Sequence, residues 1–244
     1  MVTVTSPDYF LINGVSSETV GLYTDTPPVP PLAMQRVTVW NTGVDMDGYS
    51  PDNVFENIQI SIRAFTFFPE TFNCSSVYAF LANAKTLMFS RFPNRFLKVV
   101  QVDAVQPEHS YDGKRIELNI TFTCEPFKYH TANAETTVTN NRIDNPGTRY
   151  SRPIYKLTIE KTAYDAVLQV NGQNLTIDRA ADSPIWIDTE RMIAYDSETE
   201  NQTQLTNGMY PFLSPGANTV VCYTFVGNNL VYHTVQITGN WRDY

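Results

Sequence analysis

Ile116-Glu117-Leu118-Asn119-Ile120-Thr121-Phe122-Thr123-Cys124 is the stretch of sequence that decides the fold most clearly. Apolar and polar side chains alternate along all of it. Successive side chains of a strand point to opposite faces, so this period of two predicts a strand with one buried face. Cys124 continues the apolar face, which indicates an ordinary buried thiol. We expect the first half of the chain to close just beyond it, at Glu125-Pro126-Phe127-Lys128-Tyr129.

Segments on either side carry the same alternation or a turn signal. Apolar and polar residues alternate from Ile58 to Ala64, and shorter strand patterns cover 34–40, 86–90 and 96–105. Asn13-Gly14 is the dipeptide most typical of a tight hairpin turn. The first half of the chain is therefore predicted to be a set of antiparallel strands.

One segment has helical spacing instead. Val77, Phe80, Leu81 and Ala84 lie at positions i, i+3, i+4 and i+7, which places them on one helix face. The candidates for the N-cap are Asn73, Ser75 and Ser76. The sequence therefore predicts one α-helix near residues 76–84.

Three stretches follow neither pattern. Thr24–Leu32 contains four prolines, which cannot donate to a sheet ladder, so we expect an extended arm. Asn41–Gly48 predicts a wide turn. Thr131–Pro153 is polar, loses its apolar periodicity and indicates a domain junction.

Closely spaced strand patterns resume after the junction, as in a β-sandwich. They cover 155–159, 166–170, 175–177, 185–187, 192–195, 218–226 and 230–237, with a turn at Asn171-Gly172. We therefore predict a mostly β fold in two domains. Residues 1–131 would form an N-terminal β-sandwich-type domain with the α-helix, and residues 132–244 a C-terminal β-sandwich.

Composition excludes several classes of function. The net charge is −8, shared almost equally by the two halves, and no basic block is present, so phosphate neutralisation cannot drive specific nucleic-acid binding. The three cysteines are far apart and form no CxxC pair, which argues against a zinc ribbon or a disulfide framework. Neither a signal peptide nor a membrane span is predicted. We expect synthesis in a reducing cytoplasm, where the four Asn-x-Ser/Thr sequons are chance matches.

No catalytic, cofactor-binding or metal site is predicted, and no cofactor. His109, His130 and His233 do not pair at metal-ligand spacing. GxSxG elbows and glycine-rich phosphate loops are absent from the sequence. Asp188 with Glu190, and Glu198 with Glu200, are weak candidates for a glycosidase pair, because acidic residues are common in turns.

Two further constellations are weak candidates for binding. Asp45, Asp47 and Asp52 surround Gly48, but that glycine follows Asp47 directly and the register of a calcium loop fails. The tryptophans, with many Tyr and Phe residues, are a weak candidate for a sugar-stacking platform, because most of these aromatic residues fall in strand patterns, where half of them must face a core. These tryptophans are Trp40, Trp186 and Trp241.

Several motifs, in order, resemble the distal tail (Dit) proteins of long-tailed siphophages. The opening is Phe10-Leu11-Ile12-Asn13-Gly14-Val15-Ser16-Ser17-Glu18, with Gly21-Leu22 soon after. The second half contains Asn145-Pro146-Gly147-Thr148, Pro153-Ile154-Tyr155-Lys156-Leu157-Thr158-Ile159, Val170-Asn171-Gly172, Trp186-Ile187-Asp188-Thr189-Glu190, Tyr210-Pro211-Phe212-Leu213-Ser214-Pro215-Gly216-Ala217-Asn218 and Trp241-Arg242. The order and spacing of these motifs carry more weight than any one of them.

The resemblance implies a structural virion protein of the tail tip, without enzymatic activity. In that family the N-terminal domains form a hexameric ring, and the C-terminal domains are galectin-like sandwiches. The ring joins the tail tube to the tip or baseplate and anchors tail-fibre (tail-associated) or receptor-binding proteins. This chain lacks the galectin sugar signature and the length for an inserted carbohydrate-binding module, so the likeness to galectins concerns shape alone.

The alternative from another class is a carbohydrate-binding adhesion module of the tail tip that recognises cell-wall glycans. A tail-tip glycosidase or peptidase is a third hypothesis, and it rests only on the scattered carboxylates. An acidic surface would also suit a channel through which DNA slides without sticking.

Overall fold

The computed structural model describes residues 8–24, 26–41, 47–67, 72–104, 107–109, 114–160, 164–178, 181, 183–196 and 201–244, with only the backbone described for those among 37–53 and for 104. The chain divides into two compact units. The first comprises Met1–Thr131 and the C-terminal residue Tyr244, and the second comprises Ala132–Asp243. The predicted mostly β fold with an α-helix is confirmed, and the sheets curl into a half-barrel and a near-barrel.

The first unit is built around one antiparallel sheet. Its strands are β1 (Phe10–Ile12), β2 (Val15–Ser16), β3 (Tyr23–Thr24), β4 (Gln35–Asn41), β5 (Asp47–Phe55), β6 (Ile58–Thr66), β7 (Thr86–Phe89), β8 (Arg95–Ala104), β9 (Glu108–His109) and β10 (Ile116–His130), and helix α1 is Cys74–Ala82. The sheet order is β2-β1-β7-β8-β10-β6-β3, with β9 on β10. Strands β4 and β5 pair separately as a two-stranded ribbon.

Strand β10 begins with the alternating stretch and lies in the middle of this sheet. Its five alternate apolar residues from Ile116 to Cys124 are all buried, against the buried face of β6. Beyond Cys124, β10 continues through the segment 125–129 to His130. Its register against β8 shifts between Cys124 and Lys128, around Pro126. Proline cannot donate to a ladder, and the irregularity accommodates it without ending the strand.

The turn and the helix of the first unit are confirmed, but α1 begins and ends two residues earlier than predicted, so Ala84 lies outside it. Asn13 and Gly14 both have positive φ, of 53° and 80°, as a type I′ hairpin turn requires. The Asn13 side chain also accepts hydrogen bonds from the backbone N–H groups of Lys85 and Thr86 and donates to the carbonyl of Asn83. Asn73 is the N-cap of α1, and its side chain accepts from the N–H of Ser76.

The second unit has its own core, which is enclosed by one curled antiparallel sheet. Its strands are β11 (Thr136–Thr137), β12 (Arg142–Asn145), β13 (Ile154–Thr158), β14 (Ala166–Val170), β15 (Gln173–Ile177), β16 (Ile185–Asp188), β17 (Ile193–Tyr195), β18 (Thr206–Gly208), β19 (Gly216–Val226), β20 (Asn229–Thr238) and β21 (Arg242–Asp243). The order is β17-β16-β13-β20-β19-β14-β15-β18, with β11 on β20 and β12 on β19. Asn171-Gly172 forms the predicted turn between β14 and β15.

The polar stretch after Thr131 is part of the second unit, where the sequence indicated a junction. Thr136 and Thr137 pair with β20, and β12 pairs with the start of β19. Asn140 and Asn141 form a tight turn between β11 and β12 with positive φ at both residues, of 52° and 57°. Asparagine tolerates that conformation better than most residues. The segment lacks apolar periodicity because most of its side chains are exposed.

Within the described part of the chain, no helix has the length and apolarity needed to cross a membrane.

Candidate functional site: a polar cleft and two apolar surfaces

The motifs that carry the family resemblance meet around Asn218, which is 2% exposed. Its amide donates to the carbonyls of Ser214 and Gly216, at 2.8 and 2.7 Å. Its oxygen accepts from the N–H of Ser214 and from the side chain of Asn171, at 2.8 and 2.7 Å. One buried amide therefore fixes the Pro-Gly turn before the last hairpin and joins it to the Asn171-Gly172 turn.

Asn145 has the same role in a neighbouring loop. It is 2% exposed, donates to the carbonyls of Arg149 and Leu213, and accepts from the N–H of Gly147. Gly147 packs so closely on the backbone of Arg242 that a Cβ would collide with it. Only glycine fits at this position, because there is no room for a side chain.

Trp241 and Arg242 complete this cluster. The Trp241 ring packs on Gly239, where a Cβ would overlap the ring. Arg242 donates from Nε to the carbonyl of Tyr150, at 2.8 Å, and its guanidinium lies 4.7 Å from the centre of the Tyr150 ring. Ser151, which is fully buried, donates to the carbonyl of Gly239. The motifs therefore have a structural explanation as loop anchors.

An open cleft of about 570 Å³ lies beside these anchors, within the second unit. It is bounded by β11, the Asn140-Asn141 turn, β12 and the start of β19. Its lining consists of Thr136, Thr137, Thr139, Asn140, Arg142, Ile143, Asp144, Pro146, Ala217 and Trp241. The sequence did not point to this cleft, because the segment that forms most of it was interpreted as a junction. The Asn-Asn pair was the available signal, since it marks a tight hairpin.

The two described carboxylate candidates, Asp188 and Glu190, have local hydrogen-bonding roles. Asp188 is 6% exposed, and its oxygen accepts from the N–H groups of Glu190 and Arg191, as a turn-capping aspartate does. Glu190 accepts from the side chain of Asn240, at 2.8 Å. Glu198 and Glu200 lie outside the described residues. The glycosidase hypothesis gains no geometric support from Asp188 and Glu190.

The calcium and histidine candidates are dispersed. Asp47 and Asp52 lie on β5, and Asp45 lies outside the described residues. His109 is exposed on β9, and His130 is buried at the end of β10. Among the described residues, no group of three His, Cys, Asp or Glu side chains could hold a metal ion.

His233 is the third histidine candidate. It faces inward from β20, where its Nε2 lies 2.8 Å from the Thr224 hydroxyl. Its Nδ1 accepts from the N–H of Glu160, at 3.4 Å, so the ring is held neutral with its proton on Nε2. Burial lowers the pKa of His233, against a smaller opposing effect of the Glu160 carboxylate.

The cysteines are all free. Cys74 is exposed at the start of α1. Cys124 and Cys222 are buried, and desolvation raises the pKa of each thiol to about 12, so both remain protonated and unreactive at neutral pH. The predicted buried thiol at Cys124 is confirmed.

The tryptophans are placed separately. The Trp186 ring stacks on Tyr195 with ring centres 6.0 Å apart and planes at 4°, and Lys156 lies 5.7 Å from its ring centre. Trp241 is mostly buried in the anchor cluster. The side chain of Trp40 lies outside the described residues. Trp186 and Trp241 are thus not brought together in one platform.

An apolar surface lies on the proline-rich arm of the first unit. The side chains of Val29, Leu32 and Met34 are 77%, 69% and 72% exposed, whereas Ala33 between them is buried. No strand or helix covers residues 26–34, as the prolines predicted. Large apolar side chains exposed this close together mark an interaction surface in many soluble proteins. We call this group the arm surface.

A second apolar surface lies on the β19–β20 hairpin. Tyr223, Phe225, Leu230 and Tyr232 point away from the core, and Phe225 and Tyr232 are 55% and 60% exposed. Tyr223 and Phe225 contact each other edge to face, with centres 5.4 Å apart. The sequence analysis did not identify this surface, because alternation alone does not show which half of the aromatic residues faces the core. The inward positions belong instead to Cys222 and Thr224, which are small.

Comparisons with known proteins bear on the fold. No family model matches the chain, and no curated protein matches it. Among solved structures, the chain is similar to Dit of phage SPP1, which is described as a paradigm of the hub adsorption apparatus in phages that infect Gram-positive bacteria. The TM-score is 0.69 at 14% sequence identity, and the match covers 97% of this chain and 99% of SPP1 Dit.

The chain therefore has the fold of a phage tail hub protein. In particular, it has the fold of Dit, so the resemblance to distal tail proteins is confirmed at the level of the fold.

Proposed function

We propose that this protein is a structural component of a phage tail tip, a distal tail protein whose copies assemble into a hexameric ring. The ring would join the tail tube to the tip or baseplate and anchor tail-fibre or receptor-binding proteins. The protein would be made in the host cytoplasm and incorporated into the virion. It acts by assembly and needs neither a catalytic group nor a cofactor.

The observation that carries this proposal is the match to SPP1 Dit over nearly the whole of both chains. A likeness that includes both units favours a role that needs both, as an assembly hub does. A likeness over both units is less expected if the two proteins shared only one domain. The absence of a paired-carboxylate geometry at Asp188 and Glu190 is consistent with this role.

The arm surface is the part of the first unit best suited to ring contacts. Each of its apolar side chains is more than two thirds exposed in the single chain, and burial of one such side chain is worth about 1.5–3 kcal/mol. A ring needs head-to-tail contacts, in which one patch of a subunit meets a different patch of its neighbour. We assign the arm surface to one side of that contact, and residues 1–131 to the ring.

The net charge of −8 suits a ring that surrounds DNA. DNA is held by proteins that neutralise its phosphates, so an acidic inner wall would let it pass without binding. This proposal requires Asp and Glu to outnumber Lys and Arg on the inner wall of the hexamer. A neutral or basic wall in an assembled structure would contradict it.

Native mass spectrometry of the purified chain tests the ring. The expected species has six times the chain mass of 27.7 kDa. The triple variant Val29→Ser, Leu32→Ser, Met34→Ser should shift the protein to lower oligomers, because it removes the apolar contacts of the arm. The matched control is Phe225→Ser with Tyr232→Ser, which removes apolar side chains of similar exposure from the second unit and should leave the hexamer intact. A monomeric wild-type protein at every concentration would contradict the proposal.

A further inference from the structure

The lining of the cleft in the second unit combines apolar residues, which we call the floor, with polar residues, which we call the rim. Trp241, Ile143, Pro146 and Ala217 supply the apolar part. The hydroxyl of Thr139, the amide of Asn140 and the charged groups of Arg142 and Asp144 supply polar atoms around it. At about 570 Å³ the cleft lies within the range of roughly 300–1,000 Å³ that is typical of small-ligand sites.

The polar side chains of the rim are available to a ligand. Within the described part of the chain, the side chains of Thr137, Thr139, Asn140, Arg142 and Asp144 make no hydrogen bond or ion pair with other residues. The anchors beside them, such as Asn145 and Asn218, have their hydrogen bonds satisfied internally. The polar residues that hold the loops and the polar residues that line the cleft are thus two separate sets.

The rim chemistry selects a neutral ligand rich in hydroxyl groups. Arg142 and Asp144 contribute opposite charges, so the cleft has no excess of either sign to attract phosphate or a cation. Thr139 and Asn140 both donate and accept, Arg142 only donates, and ionised Asp144 only accepts. A saccharide hydroxyl also donates and accepts, and the C–H face of a sugar ring packs on apolar and aromatic surfaces.

We propose that this cleft binds a neutral saccharide. Asp144 and Arg142 would hold ring hydroxyls, Thr139 and Asn140 would bind from the turn side, and the apolar floor with Trp241 would contact the ring. A protein segment would be a different occupant. It would be expected to pair its backbone with a strand edge, and competition by an extended peptide tests that occupant.

Saturation-transfer difference NMR with the full chain tests the proposal, using glucose, galactose, N-acetylglucosamine and their β-linked disaccharides as probes. At least one probe should bind, with a Kd of about 1 mM or lower. Asp144→Ala should weaken that binding about tenfold, because a hydrogen bond to a charged group is lost. Thr139→Ala should weaken it about threefold. Both side chains are exposed, so neither variant should change the thermal stability appreciably.

The matched control is Thr176→Ala on β15, which makes the same change as Thr139→Ala on a strand that does not line the cleft. It should leave affinity unchanged within twofold. The proposal is overturned if none of the saccharides gives a transfer signal. It is also overturned if a saccharide binds with the same affinity to Asp144→Ala, or if an extended peptide displaces binding while no sugar does. The inference uses only the second unit, so a monomeric chain that binds sugar would contradict the ring and leave the cleft proposal standing.

Discussion

Replacing Asn218 by alanine tests whether the anchor cluster holds the second unit together. The substitution removes two donated and two accepted hydrogen bonds from a side chain that is 2% exposed. A net contribution of about 0.5–1.5 kcal/mol for each of the four bonds gives a loss of about 2–6 kcal/mol in the free energy of unfolding of that unit. At about 4–8 °C per kcal/mol for a unit of this size, even the smallest loss should lower its Tm by roughly 8–16 °C.

Differential scanning calorimetry of the full chain measures this loss, because the two units have separate cores and each transition can be followed. The matched control is Asn228→Ala, in the exposed turn of the last hairpin, where the side chain makes no hydrogen bond in the structure. The control should change the Tm by less than about 2 °C. If Asn218→Ala also shifted the Tm by no more than the control does, the loop-anchoring role of the motif would be refuted.

Three further predictions concern other described residues. Asn13→Ala should destabilise the first unit by about 2–3 kcal/mol in urea unfolding, because it removes three hydrogen bonds and a residue suited to positive φ. Asn13→Gly should restore the turn conformation but not the hydrogen bonds. Equal stability of wild type and Asn13→Ala would contradict this prediction. Tyr155→Phe should leave the second unit as stable or more stable, since the fully buried hydroxyl has no hydrogen-bond partner among the described residues. A Tm lowered by several degrees would show that the hydroxyl is bonded. Because the pKa of His233 is lowered below 6.5 in the folded state, the unfolded state binds more protons just below that pH. The free energy of unfolding should therefore fall as the pH drops through about 6.5 and stay level above it. His233→Gln, compared with wild type by thermal unfolding, should flatten that part of the profile. An unchanged profile would exclude His233 as the source of the pH dependence.

Local sequence signals predicted the elements whose burial follows a simple period. The stretch from Ile116 to Cys124, the Asn13-Gly14 turn and the Asn73 cap all follow from interactions between residues near one another in sequence. Residues 136–145 could not be predicted in this way. They are strands whose side chains are mostly exposed, so they depend on backbone pairing with β19 and β20.

The functional surfaces were harder to predict than the fold. Side chains of β19 alternate between two faces whichever of those faces is buried. The local sequence therefore does not show that Phe225 is exposed and Cys222 is buried. The cleft needs residues from 136 and from 241 to meet, which is a tertiary fact. The motif from Pro211 to Asn218 contributes to the family resemblance in sequence, but its structural role becomes clear only from the four hydrogen bonds of the Asn218 side chain.

Negative-stain electron microscopy of the purified full chain tests the central claim most directly. Two-dimensional class averages should show sixfold rings with a central opening, and the Val29→Ser, Leu32→Ser, Met34→Ser variant should lose them. Particles of monomer size, or assemblies without a closed ring, would contradict the proposal that this protein is the hub of a phage tail tip.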